Sequence, residues 1–141
     1  MLPEVIILQK DITELSVNVI VCPVSPTLKT TSGISKVVMD KAGSGLNRKF
    51  VEKQKQGILS IGHAFVTNSF NLLNCRHIIH VVVPKMPPEN ENPGACFRDL
   101  EKAFYNCFEE LWNVRVRSPA GKGIVETLAI PALGAGMVSF F

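Results

Sequence analysis

Apolar positions along the chain fall into short runs separated by polar turns, and the spacing changes from run to run. Val5 to Leu8 (VIIL) reads as a first strand, followed at its carboxyl end by Asp11-Ile12-Thr13. Val17, Val19, Ile20 and Val21 form a near-continuous apolar run, the pattern of a strand covered on both faces in a parallel sheet. Pro23 and Pro26 are expected to end it, since neither can donate a ladder hydrogen bond. After Thr30, Thr31, Ser32 and Gly33, the apolar residues Ile34, Val37, Val38 and Ala42 take helical spacing. Gly45 to Gln54 predicts a short polar helix with Leu46, Phe50 and Val51 inward, and Gly43-Ser44-Gly45 ends one helix and starts the next.

Ala64 to Thr67 predicts a third strand after a turn at Gly62. His77 to Val83 (HIIHVVV) predicts a buried strand closed by Pro84. The polar, proline-rich stretch Lys85 to Gly94 is a surface loop. It leads into the longest helix, with Phe97, Leu100, Phe104, Cys107, Phe108 and Leu111 as its core face. Ser118 to Gly123 is a turn, Thr127 to Pro131 a strand, and Ala132 to Met137 a glycine-containing loop at its end. Strands alternating with helices predict an α/β sandwich with a largely parallel sheet. Ligands of such sheets bind beyond the carboxyl ends of the strands. Three loops are expected there: at Asp11, from Cys22 to Gly33, and from Gly134 to Gly136.

Composition narrows the classes. With 141 residues, 46% hydrophobic and 19% charged, the chain has the make-up of one folded domain rather than a disordered segment. A net charge of +3, from 15 basic and 12 acidic residues, does not itself argue for nucleic acid or a membrane surface. Nor is there a basic, aromatic-interleaved stripe of the kind that stacks single-stranded nucleic acid. No run approaches the ~18 apolar residues of a membrane span, and MLPEVIILQKD has neither the basic start nor the cleavage site of a signal peptide. Cys22, Cys75, Cys96 and Cys107 show no CxxC pairing, which points to reduced core thiols of an intracellular protein, in the nucleus or cytoplasm.

Few residues carry candidate chemistry. A strand feeding a loop that opens onto a helix N-terminus aims backbone N–H groups at one point, an anion site, although most such units bind nothing. Gly134-Ala135-Gly136 is either an anion-holding nest or a tight turn. Asp11 either accepts from an exocyclic amine or caps the turn after it. His77 and His80 lie three apart on a strand and face opposite ways, so they cannot share a metal, and His63 is isolated. The cysteines and histidines have no zinc spacing.

The ordered set of these pieces resembles a macrodomain, the ADP-ribose-binding module, over nearly the whole chain. The match runs through Asp11-Ile12-Thr13, Val19-Ile20-Val21, Ala42-Gly43 with Leu46, and Gly62 with Thr67. It continues with Ile79-His80-Val81 before Pro84, and ends in Ile130-Pro131-Ala132-Leu133-Gly134 with Gly136. It is closest to divergent macrodomains such as those carried in tandem by some ADP-ribosyltransferases of the poly(ADP-ribose) polymerase family. The resemblance implies a three-layer α/β/α sandwich with a mixed, largely parallel central sheet, one domain over residues 1–141. That sandwich would be incomplete at its C-terminal end, where a strand and a helix are missing. Asp11 would accept from the adenine amino group, with the Ile12 backbone beside it. Ser32, Gly33 and Ile34 would bring backbone amides to the diphosphate and proximal ribose. Gly134, Ala135, Gly136, Met137 and Val138 would close over the diphosphate from the other side, with Phe140 near the adenosine end.

Departures from the family pattern bear on activity. Members that hydrolyse ADP-ribose esters usually carry an Asn-Ala-Ala-Asn run where this chain has Cys22-Pro23-Val24-Ser25, so the Asn that orients the distal ribose falls on Ser25. The Asp that activates water or substrate in some hydrolases falls on Ser35, and a serine is no general base near neutral pH. Only Gly33 survives of the glycine-rich run, the remainder being Thr30-Thr31-Ser32. The expectation is a non-catalytic module for ADP-ribose or ADP-ribosylated proteins, with no catalytic residue, cofactor or metal, set within a larger multidomain chain. The alternatives are an interaction scaffold without ligand and, third, a mono-ADP-ribosyl hydrolase.

Overall fold

A computed structural model describes residues 3–30, 33–85, 87–88, 91–118 and 124–133. A four-stranded sheet forms the middle layer, made of β1 (Val19–Val24), β2 (Ala64–Asn68), β3 (His77–Val82) and β4 (Leu128–Ala129) in the order β2-β3-β1-β4. β1 pairs in parallel with both β3 and β4, and β2 pairs antiparallel with β3, so the sheet is mixed and largely parallel. Three helices cover it: α1 (Gly33–Ala42), α2 (Ser44–Gln54) and α3 (Gly94–Arg117).

Alternation along the strands sorts the core into two halves. Ile20, Cys22 and Val24 of β1, with Ile78 and Val82 of β3, face Val38 and Ala42 of α1 and Leu46 and Phe50 of α2. Val19, Val21, Ile79 and Val81 face the other way, onto Ala103 and Cys107 of α3. Both faces of β1 and β3 are therefore covered, which is why they read as unbroken apolar runs. Each such side chain taken fully from water contributes about 1.5–3 kcal/mol.

Several sequence expectations are corrected here. Val5 to Leu8 is not a strand: its side chains are exposed, Ile7 by 94%, and among the described residues no neighbouring strand offers its backbone a ladder. Pro23 does not end β1 but lies inside it, opposite Val81. Its missing N–H is tolerated because β4 reaches only Val19 and Ile20, so that edge is already open at Pro23. The strand expected over Thr127 to Pro131 is ordered as a ladder only at Leu128–Ala129. Phe97 and Phe108 are exposed, because α3 rests on Leu100, Ala103, Phe104, Cys107 and Leu111 and turns those two positions away from the sheet. The small Ala103 and Cys107 let the helix backbone approach the sheet. Val37 and Val51 face solvent for the same rotational reason.

The junction between α1 and α2 forms as the sequence predicts. Gly43 stands at φ 88° before α2, and a Cβ on Gly45 would sit 2.4 Å from the Phe70 ring. The Phe70 side chain fills the space that a larger residue at position 45 would need.

Candidate functional site

Because β1 and β4 are adjacent and parallel, the loops that leave their carboxyl ends emerge at the same sheet edge. After β1 the chain turns at once. The amide of Leu28 donates to the Ser25 carbonyl (3.0 Å), with Leu28 at φ 56° and its side chain buried. The Ser25 hydroxyl accepts from the Lys29 amide at 3.0 Å and lies 3.5 Å from the Thr27 hydroxyl, so it braces its own turn. Two bonds tie this turn to the α2 side: the Leu59 amide to the Pro26 carbonyl (2.9 Å), and Gln54 Nε2 to the Thr27 carbonyl (3.2 Å). At the far end of the loop Gly33 opens α1 at φ 70°, exposed. Open space surrounds the position a Cβ would take.

Asp11 precedes a short 3-10 turn, Ile12–Glu14, and caps it. Its Oδ1 accepts from both the Thr13 amide (2.9 Å) and the Thr13 hydroxyl (2.6 Å). Lys41, in the last turn of α1, donates through Nζ to the Thr13 hydroxyl (2.6 Å) and stands 3.6 Å from Asp11 Oδ2. The Thr13 hydroxyl, then the Thr13 amide and Lys41, hold the Asp11 carboxyl below its ordinary value. Oδ1 is thus occupied, while Oδ2 accepts no hydrogen bond among the described residues. The side chains of Asp11 and Lys41 are each 41% exposed. Asn74 Nδ2 holds the Thr13 carbonyl (3.2 Å) and fixes the turn from the other side.

Ile12 and Ile34 pack partly buried against the same core cluster, and the Asp11 turn meets α1 at its Lys41 end, eight residues after Gly33. Ser35, one residue further, is buried. Leu133 is buried in the opposite cluster and is where the described part of the second loop ends. Ser32, Gly134, Ala135, Gly136, Met137, Val138 and Phe140 lie outside the described residues. Of the expected site, then, Asp11, Ile12, Ser25, Gly33 and Ile34 are on view.

A sequence model of the Macro domain matches residues 21–140. The chain belongs to the Macro domain family. An O-acetyl-ADP-ribose deacetylase of Enterobacter sp. (strain 638) is 31% identical over 141 residues, 99% of this chain and 71% of that protein. The human protein mono-ADP-ribosyltransferase PARP14 is 25% identical over 139 residues, 97% of this chain but 7% of the much longer relative. Among solved structures, the Oceanobacillus iheyensis macrodomain with ADP aligns at TM-score 0.75 and 24% identity, over 93% of this chain. The chain spans 64% of that macrodomain's length. A variant of the same macrodomain, solved with ADPR, aligns at TM-score 0.74 and 25% identity, over 94% of this chain and 66% of that one. The mixed four-stranded sheet with its three helices matches the macrodomain α/β fold.

Within this macrodomain the site offers an acceptor at Asp11, the partly buried side chains of Ile12 and Ile34, and the start of α1 at Gly33. Among the described residues no group of three or more His, Cys, Asp or Glu side chains could hold a metal ion. Nor is any described helix long and apolar enough to cross a membrane. Sequence reasoning missed Lys41 and Asn74. The helical spacing of α1 shows that Lys41 is polar and outward, but its partner lies 30 residues earlier in the chain, beyond any periodicity.

Proposed function

We propose that this macrodomain binds ADP-ribose, free or attached to a modified protein, and does not hydrolyse it. The observation that carries the reading is the Asp11 carboxylate. Thr13 fixes one oxygen and leaves the other half-exposed at the Lys41 end of α1, with Ile12 and Ile34 packed against the core cluster that α1 covers. An adenine amino group would donate to Oδ2, the ring would rest on the isoleucines, and the diphosphate would meet the α1 amides. The relative solved with ADPR and the relative named for O-acetyl-ADP-ribose support the ligand class.

Calorimetric titration of ADP-ribose into the folded chain tests this reading. Micromolar binding, roughly −8 kcal/mol, is expected. Asp11→Ala should weaken it severalfold, by removing the acceptor for the adenine amino group. A folded chain that binds nothing would instead favour an interaction scaffold.

The deacetylase relative favours one competing reading, ester hydrolysis. Two residues argue against it: the Ser25 hydroxyl is committed to the Lys29 amide, and Ser35 is an uncharged, buried side chain in the first turn of α1. Release of acetate from O-acetyl-ADP-ribose, abolished by Ser35→Ala, would restore the hydrolase.

A further inference from the structure

Lys41 places an ammonium next to the very carboxylate oxygen that the ADP-ribose reading assigns to the base. Nζ carries three N–H donors. One goes to the Thr13 hydroxyl at 2.6 Å, and at 3.6 Å the contact with Asp11 Oδ2 is an ion pair rather than a hydrogen bond. A donor and an acceptor thus stand side by side, both reachable from solvent and both fixed through Thr13.

The edge of a purine around its six-position is built the same way. Adenine presents an amino donor at position six and a ring-nitrogen acceptor beside it. A 6-oxo purine presents a carbonyl acceptor at position six and a ring N–H donor beside it. A lone carboxylate complements the first edge and repels the carbonyl of the second. An Asp–Lys pair complements either edge, by exchanging which of its two members meets position six.

We infer that Lys41 is a specificity-determining residue of the base pocket, and that it lets this macrodomain accept 6-oxo purine nucleoside diphosphate riboses alongside ADP-ribose. The inference rests on the ADP-ribose reading above, with Asp11 as the acceptor for the base.

The test is a pair of calorimetric titrations, with ADP-ribose and with its analogue carrying hypoxanthine in place of adenine. Each ligand is run against the wild-type chain, Lys41→Met and Lys41→Arg, with circular dichroism confirming that all three are folded. The quantity read is the ratio of the two affinities, which a merely structural role for Lys41 would not move. Lys41→Met should raise the preference for ADP-ribose over the hypoxanthine ligand by about tenfold or more, equivalent to about 1.4 kcal/mol of discrimination. Lys41→Arg, which keeps a donor, should hold the wild-type ratio. A smaller rise in Lys41→Met, or an equal rise in Lys41→Arg, overturns the inference while leaving ADP-ribose binding intact. Failure of the folded wild-type chain to bind either ligand overturns the underlying reading, and this inference falls with it.

Discussion

His80 shows how one side chain can be ruled by its surroundings. It is fully buried on β3, shares a 2.8 Å hydrogen bond through Nε2 with the Thr67 hydroxyl, and stacks on Phe65 with ring centroids 4.9 Å apart. The Phe50 edge closes the other side at 4.9 Å, and among the described residues Nδ1 has no partner. Burial pushes its pKa down to about 3, so the native state holds it neutral while the unfolded chain takes up a proton near its ordinary value of 6.5. Its contribution to stability is therefore whole above that ordinary value and is lost as the pH falls toward the folded one. Chemical denaturation at stepped pH should show stability dropping below pH ~6.5 by up to about 1.4 kcal/mol per unit from this group. His80→Gln, which can still bond Thr67, should flatten that slope; an unchanged slope would mean that other groups carry it. The sequence placed His80 in a buried strand beside Pro84, but not the two phenylalanines that enclose it. Asp11 is the converse case. Its capping and ligand-binding roles were alternatives on sequence alone, and the structure shows one carboxylate oxygen given to the cap and the other left over.

Among the elements, α1 and α2 were the most legible, because their apolar spacing and the Gly43-Ser44-Gly45 break are local signals. The reason for the second glycine was not. Gly45 faces Phe70, which itself sits at φ 50° and is anchored by its amide to Asn68 Oδ1 at 2.7 Å. Gly45→Ala would drive a methyl into that ring, and the overpacking should cost about 1–3 kcal/mol, read as a fall in the urea midpoint with an unchanged slope. A neutral or stabilising effect would mean that Phe70 swings away freely. α3 was legible as a helix and in most of its facing: Leu100, Phe104, Cys107 and Leu111 pack inward as expected, while Phe97 and Phe108 are exposed. Ala103 and Cys107 bring the helix close to Val21 and Ile79, and Phe104 packs partly buried against the same cluster. That burial also pushes the Cys107 thiol up to about 12, as it does Cys22 in β1.

Taken as a whole, the molecule is organised around β1 and β3, each with a neighbour on both sides and a helix layer on both faces. Asn18, just before β1, ties in β4 through its side chain: Oδ1 accepts from the Glu126 amide (2.8 Å), the Thr127 amide (3.0 Å) and the Thr127 hydroxyl (3.0 Å). Native-state hydrogen exchange should therefore be slowest at the centres of β1 and β3 and fast over residues 4–8, which no described strand pairs. Protection of that segment equal to β1 would show that it is laddered in solution. The sequence alone determined the three helices and the strands β1, β2 and β3, that β1 is covered on both faces and β3 buried, and which family the order of motifs belongs to. Each of these follows from side-chain period and local turn chemistry, which a single chain carries in one dimension. Only the tertiary structure decided that Val5 to Leu8 is left without a ladder, that Pro23 can sit inside β1, and that Lys41 stands beside Asp11. Those outcomes depend on whether a neighbour distant in the chain arrives to pair, crowd or neutralise a residue, and no local pattern encodes that neighbour.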